Sequence, residues 1–323
     1  MGIIRFAALA LLGSLAVGWS GVLLAQGAYP TKPVRIIVAS GPGSGDDFAT
    51  RTVANELSNI LKQPFVVENR PGAGGVIGQT AVLKSPPDGY TLLLAGGSMA
   101  GARFVNAAVT YDVLKDFTPV SLIETSPFAL VASASLPAKD LKEFIAHARA
   151  HPGKLSYGTI GAGQVPWWAV FLFNSMAGVN AVDITYKETA GAMTDVMTGR
   201  LDYFVTALVS AISAKDKLRV LAVTSADRSP MLPDVPSMAE AGLPGYDMPA
   251  WRSIMGPAGM PPEVVATLNK AIQQALASPE LRDRFIKAGS VPLGSTPAEL
   301  RARYQHWMGI FEKIAKDAGV KPQ

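Results

Sequence analysis

Two glycine-rich loops, one serine turn and one histidine pair are the patterns in this chain that could do chemistry. Gly41-Pro42-Gly43-Ser44-Gly45 follows the β-branched run Val34–Val38. It leads into Asp46, Asp47 and a segment whose apolar residues (Phe48, Val53, Ala54, Leu57, Ile60) recur at helical spacing. A loop that leaves a strand and opens a helix presents free backbone N–H groups to an anion. This loop lacks the Lys-Ser/Thr end of a phosphate-binding loop and the third glycine spacing of the dinucleotide fingerprint. Asp46 and Asp47 would repel a pyrophosphate. A carboxylate is the anion that fits; the alternative is that the glycines only make a tight turn. Tyr157-Gly158-Thr159-Ile160-Gly161-Ala162-Gly163-Gln164 repeats the arrangement later in the chain, again between strand and helix signals. Two such loops facing each other would grip one ligand from both sides, and the closed state would then depend on the ligand.

The other patterns are weaker. Gly97-Ser98-Met99-Ala100-Gly101 follows a strand, as a nucleophile elbow does, but Ala100 stands where that motif needs glycine and no histidine is placed as a base. A hydrolase acting through Ser98 is therefore a remote reading. His147 and His151 share a helix face four residues apart with no third ligand nearby, so no metal is expected, and His306 lies in an amphipathic C-terminal segment. The chain has no cysteine, which excludes thiol chemistry and disulfides. No cofactor is expected.

The elements that must position these loops read as strands alternating with helices, which implies a mainly parallel, doubly wound α/β sheet. Extended apolar sequence from Phe117 to Ser133, with a break near Thr125-Ser126-Pro127, reads as two strands crossing between lobes. Leu218 to Thr224 reads as a possible return, and three helices follow (Pro262 to Ala277, Pro279 to Ala288, Pro297 to Ala318). Two lobes and two crossings describe a clamshell with the ligand between them. The expected layout is residues 28–125 as the first part of lobe one, 126–222 as lobe two, and 223–323 as the return to lobe one.

Residues 1–27 read as a cleavable signal peptide. Arg5 precedes an apolar run from Phe6 to Leu24, and Ala25-Gln26-Gly27 offers small residues at the exit. An uncleaved anchor is the alternative, disfavoured by Gly13, Ser14, Gly18, Ser20 and Gly21 within the run. The expected location is periplasmic. A net charge of +4 from scattered Lys and Arg does not make a nucleic-acid surface, and suits an anionic ligand weakly.

Several further segments, in order and spacing, carry a resemblance. They include Tyr29-Pro30-Thr31-Lys32-Pro33-Val34-Arg35, Val67-Glu68-Asn69-Arg70-Pro71-Gly72-Ala73-Gly74-Gly75, Pro87-Asp88-Gly89-Tyr90-Thr91-Leu92, Leu232-Pro233-Asp234-Val235-Pro236 and Pro257-Ala258-Gly259. Over essentially the whole mature chain the sequence resembles the Bug family, the extracytoplasmic solute receptors of tripartite tricarboxylate transporters. The resemblance implies a type II periplasmic-binding-protein fold with two α/β lobes joined by a hinge. It implies a non-enzymatic receptor, a monomer, that captures a mono- or dicarboxylate for inner-membrane transporter subunits; a sensor that docks on a signalling partner is the alternative. The grip on a carboxylate would fall on Gly43, Ser44, Gly45, Asp46 and Asp47, and on Thr159, Gly161, Gly163 and Gln164. Ser40, Ser98, Ile160, Trp167, Tyr186 and Thr206 complete the candidate ligand-binding set.

The departures from the family pattern bear on the ligand. Ser40 and Gly41 replace an aromatic and a proline, and Asp46 replaces a threonine. Asp46 either caps the helix or faces an amine on the ligand. Trp167 stands at a histidine position, either as an aromatic wall or as core. Trp251 reads as an aromatic in a loop near the cleft. Glu188 and Thr206 make the distal end of the pocket non-standard.

Overall fold

A computed structural model describes residues 29–317 and 319–322. The expected signal peptide, 1–27, lies outside the described residues. The chain runs β1 (Val34–Val38), α1 (Gly45–Leu61), β2 (Phe65–Asn69), α2 (Val76–Leu83), β3 (Thr91–Gly96), a short α3 (Ala102–Val105) and the long β4 (Phe117–Ser126). After Pro127 it enters a second sheet with β5 (Phe128–Ser133). There follow α4 (Leu141–Ala150), β6 (Ser156–Ile160), α5 (Val165–Ala177), β7 (Val182–Tyr186), α6 (Thr189–Thr198), β8 (Tyr203–Ala207), α7 (Leu208–Ala214) and β9 (Leu218–Val223). The chain next joins the first sheet at β10 (Ala250–Pro257), then forms α8 (Pro262–Leu276), α9 (Pro279–Lys287), β11 (Val291–Pro292) and α10 (Pro297–Asp317).

The first sheet has the order β11-β4-β10-β3-β1-β2 and the second β7-β6-β8-β5-β9. Both are mixed rather than mainly parallel. β1 pairs in parallel with β2 and β3, and β6 with β7 and β8, whereas β10 and β5 run antiparallel to both of their neighbours. The reason is the connectivity: β5 enters the second sheet straight from β4, and β10 returns to the first without a βαβ crossover to turn it parallel.

In each sheet one strand, β1 or β6, is followed by a strand on one side and then by one on the other. This puts a topological switch point between β1 and β3, and another between β6 and β8. Ligands of open α/β sheets bind outside the carboxyl ends of the strands at such points.

Local signals account for the helices. In α10 the buried residues Leu300, Tyr304, Trp307, Phe311 and Ile314 recur every three or four positions, giving one apolar face. Its start is a reciprocal capping box: Glu299 N–H donates to Thr296 Oγ1 (3.2 Å) and Thr296 N–H donates to Glu299 Oε2 (2.8 Å). The cap of α1 differs from expectation. Ser44, not Asp46 or Asp47, is the N-cap, in extended conformation, with its Oγ accepting from Asp47 N–H (3.2 Å). Both aspartates fall instead in the first helical turn, where negative charge is favoured.

Among the described residues three apolar clusters form the core. One lies between the first sheet and α1, α8 and α9, and one between the second sheet and α6 and α7. The largest runs from one sheet to the other through α5 and α10. Trp168 of α5 stacks on Phe311 of α10 with ring centroids 4.5 Å apart, and Tyr246 O–H donates to the Ala169 carbonyl at 2.8 Å. The C-terminal helix therefore ties the two sheets together.

Candidate functional site

A cavity of about 410 Å³ lies at the carboxyl ends of β1 and β3, where the switch-point argument places it. Ala39 and Ser40 follow β1, and Asp46 lies in the first turn of α1. Gly72, Gly74, Gly75 and Gln79 come from the turn into α2. Gly97, Ser98 and Met99 follow β3, and Ala250, Trp251 and Arg252 come from β10. The second half of the molecule contributes Phe128 and, at the start of α5, Gln164, Val165 and Pro166.

The loop after β1 is held by its own side chains. Ser40 O–H donates to Asp46 Oδ2 (3.0 Å), so the Ser40–Ser44 contact (2.9 Å) has Ser44 as donor. Asp47 is buried, and its Oδ2 accepts from Gly43 N–H (3.0 Å). Arg51 Nε donates to both Asp47 oxygens at 3.0 Å, while its Nη2 donates to Asn69 Oδ1 at 3.1 Å. Asn69 Nδ2 in turn donates to the Ser40 carbonyl (3.1 Å). The Arg51 hydrogen bond, then that from Gly43, outweighs burial and holds the Asp47 carboxyl at about 2. A carboxyl depressed on folding stabilises above its unfolded pKa, near ~4, and that contribution is lost as pH falls toward the folded value. Between about pH 4 and 2 the wild type is expected to lose stability more steeply than Asp47→Asn. Parallel denaturation curves for the two proteins across that window would contradict this role.

The free donors facing the cavity are neutral. Gln79 Oε1 accepts from Tyr111 O–H (2.8 Å), which leaves its amide NH₂ as the unused end, beside Gly75. Gly75 caps α2 at φ +98°, and a Cβ there would meet Gln79 Nε2 at 3.0 Å, so glycine keeps this wall open. Among the described residues Ser98 Oγ makes no hydrogen bond. The N–H of Val165, in the first turn of α5, has no helical acceptor.

Arg252 is the one cation among the described lining residues, and it is engaged. Its Nε donates to Asp46 Oδ1 (2.6 Å) and its Nη1 to Glu124, which is fully buried. Burial pulls the guanidinium pKa down, but Glu124 and then Asp46 outweigh it and hold it above its usual value. Glu124 Oε2 also accepts from Ser126 O–H (2.7 Å) at the crossing between sheets. Arg252, Phe128 and Ala250 are shared with a second cavity of about 420 Å³, which Ser126 and Pro127 of the crossing also line.

The candidate residues separate into three groups. Ser40, Asp46, Ser98 and Gln164 line the first cavity, while Gly43, Ser44 and Gly45 line the second. Thr159, Ile160, Gly161, Gly163, Trp167, Tyr186 and Thr206 line neither, and Asp47 lies beneath the first loop. Thr159 O–H donates to Asp183 (2.7 Å), and Tyr186 O–H to Asp195 (2.8 Å). Gly161 and Gly163 take positive φ to shape their loop, and the Gly163 carbonyl accepts from Trp168 Nε1 (3.0 Å). Trp167 is only 8% exposed and packs on Trp168 and Phe171 with centroids 4.7 and 4.4 Å away, so it is core and not a cleft wall. Thr206 is buried, and its hydroxyl has no partner among the described residues. Asp46 does not cap α1; it pairs with Arg252. Trp251 lies in β10, not in a loop, and is buried against Tyr304 and Trp307.

Arg252, Gln79 and the glycines before α2 are cavity residues that sequence reasoning missed. A glycine run opening a second helix was visible at 72–75, and it carries the same N–H argument as the first loop. Arg252 left no signal, because Trp251-Arg252 reads as loop unless β10 is recognised.

Among the described residues no histidine lines the first cavity to serve Ser98 as a base. Two α/β sheets joined by crossing strands, with a cavity between their switch points, define a two-lobed solute-binding protein. The model of the tripartite tricarboxylate transporter family receptor matches residues 49–301. Protein BugT of Bordetella pertussis is 34% identical over 293 residues, 88% of this chain and 90% of that protein. An R. palustris protein solved with adipate superposes with a TM-score of 0.74 at 34% identity, covering 91% of this chain and 100% of that one. MatC of Rhodopseudomonas palustris with bound malate gives 0.70 at 31% identity, covering 89% and 100%. The chain belongs to the tripartite tricarboxylate transporter receptor family, whose members are binding proteins and not enzymes.

Proposed function

We propose that this protein captures a small carboxylate in the first cavity, in the periplasm, and delivers it to the membrane subunits of a tripartite tricarboxylate-type transporter. The observation that carries the reading is the donor set. Ser98, Gln79 and the first turn of α5 offer uncharged N–H and O–H groups around one space at a switch point. Charge-assisted hydrogen bonds to such donors contribute on the order of 1.5–3 kcal/mol each. Relatives solved with adipate and malate support a carboxylate. Gln164 and Val165 stand on the opposite lobe from Ser40 and Ser98, so a ligand bridging them favours the closed arrangement. In this reading the lobes comprise 28–125 with 223–323, and 126–222, after export removes 1–27.

A thermal-shift screen of carboxylates, sugars and cations tests the proposal. A carboxylate present at about 100 times its Kd adds about 2.7 kcal/mol of stability. Shifts produced only by neutral sugars or by cations would refute it.

A further inference from the structure

Among the described residues lining the two cavities only two are charged, Asp46 and Arg252. Arg252 already donates to Asp46 and to the buried Glu124, so the three groups together carry one excess negative charge. The Asp46 side chain keeps 42% exposure at the first cavity, while Glu124 is sealed behind it. The neutral donors can hold one carboxylate. A second one finds no uncommitted cation among the described lining residues and meets the field of Asp46.

We infer that the cleft selects a ligand with a single carboxylate, its remaining body neutral or carrying an amine, and that Asp46 is the residue that excludes dicarboxylates. This rests on the carboxylate reading above and narrows it. An amine on the ligand gains from Asp46 what a second carboxylate loses, which ranks the three classes at equal skeleton: amino acid and monocarboxylate above dicarboxylate.

Titration calorimetry on the mature chain with matched sets tests this. The probes are hexanoate, 6-aminohexanoate and adipate, with benzoate, 4-(aminomethyl)benzoate and terephthalate as the aromatic set. In each set that binds, the monocarboxylate or amino acid is expected to be at least about tenfold tighter than the dicarboxylate, a difference of about 1.4 kcal/mol. Asp46→Asn removes the repulsion and releases Arg252 Nε, so the ratio should shrink below about threefold, with dicarboxylate affinity rising. A wild-type protein that binds a dicarboxylate as tightly as its partners overturns the inference alone, as does an unchanged ratio in a folded Asp46→Asn. A wild-type panel with no binder at all overturns the carboxylate reading and this inference with it.

Discussion

Replacing Arg252 by methionine is expected to destabilise the protein by about 3–5 kcal/mol, because it leaves Glu124 buried without its counter-ion. Methionine keeps much of the arginine stem volume, so the loss reports charge more than packing. Solvent reaches Asp46 but not Glu124, and among the described residues the remaining side-chain partner of Glu124 is the Ser126 hydroxyl. The double variant Glu124→Gln with Arg252→Met should recover most of the loss, since removing both members of a buried pair is often near neutral. Denaturant unfolding of the three proteins measures it. A single variant that loses under about 1 kcal/mol, or a double variant no better than the single, would mean the pair is not what holds β10 to β4 and α1 at this point.

Trp168→Ala is expected to cost a similar amount, about 3–5 kcal/mol, for a different reason. The ring has no solvent exposure, stacks on Phe311, meets Trp167 edge-on, and lies against Gly101. Its removal opens a cavity where α5, α10 and the turn after β3 converge. It also strips the Gly163 carbonyl of the Nε1 donor that fixes the loop at the entrance to α5. Trp168→Phe keeps an aromatic and loses the hydrogen bond, so about 1–2 kcal/mol is expected. Equal losses for Ala and Phe would assign the effect to the hydrogen bond; a negligible loss for Ala would contradict the bridging role of this contact. Because α5 carries Gln164 and Val165 into the cleft, Trp168→Ala should also weaken ligand binding more than Phe does.

The sequence conveyed the alternation of strands and helices, the crossing at Ser126-Pro127 and the switch-point loops, because these rest on local periodicity and on glycine and proline placement. Four of the candidate residues, Ser40, Asp46, Ser98 and Gln164, meet in one cavity. β10 was not legible: Trp251, Arg252 and Ser253 lack an alternating pattern because both faces of this central strand are covered, one by α10 and the other by the ion pairs to Asp46 and Glu124. Missing β10 hid Arg252 and put Trp251 in a loop. The second loop was placed correctly between β6 and α5, but only its last residue, Gln164, lines the cavity. Gly161 and Gly163 shape the turn and carry Trp168, which is a tertiary role that spacing does not reveal. The reading of Trp167 as wall or core was settled by its neighbours in three dimensions, Trp168 and Phe171.

Recognition of a carboxylate by uncharged donors is open to one direct comparison. Titration calorimetry would compare the tightest carboxylate from the screen with its primary amide, which has the same skeleton and no charge. The amide is expected to bind at least about a hundredfold more weakly, since it forfeits charge-assisted bonds worth about 1.5–3 kcal/mol each. An amide that binds as tightly as the acid would contradict it.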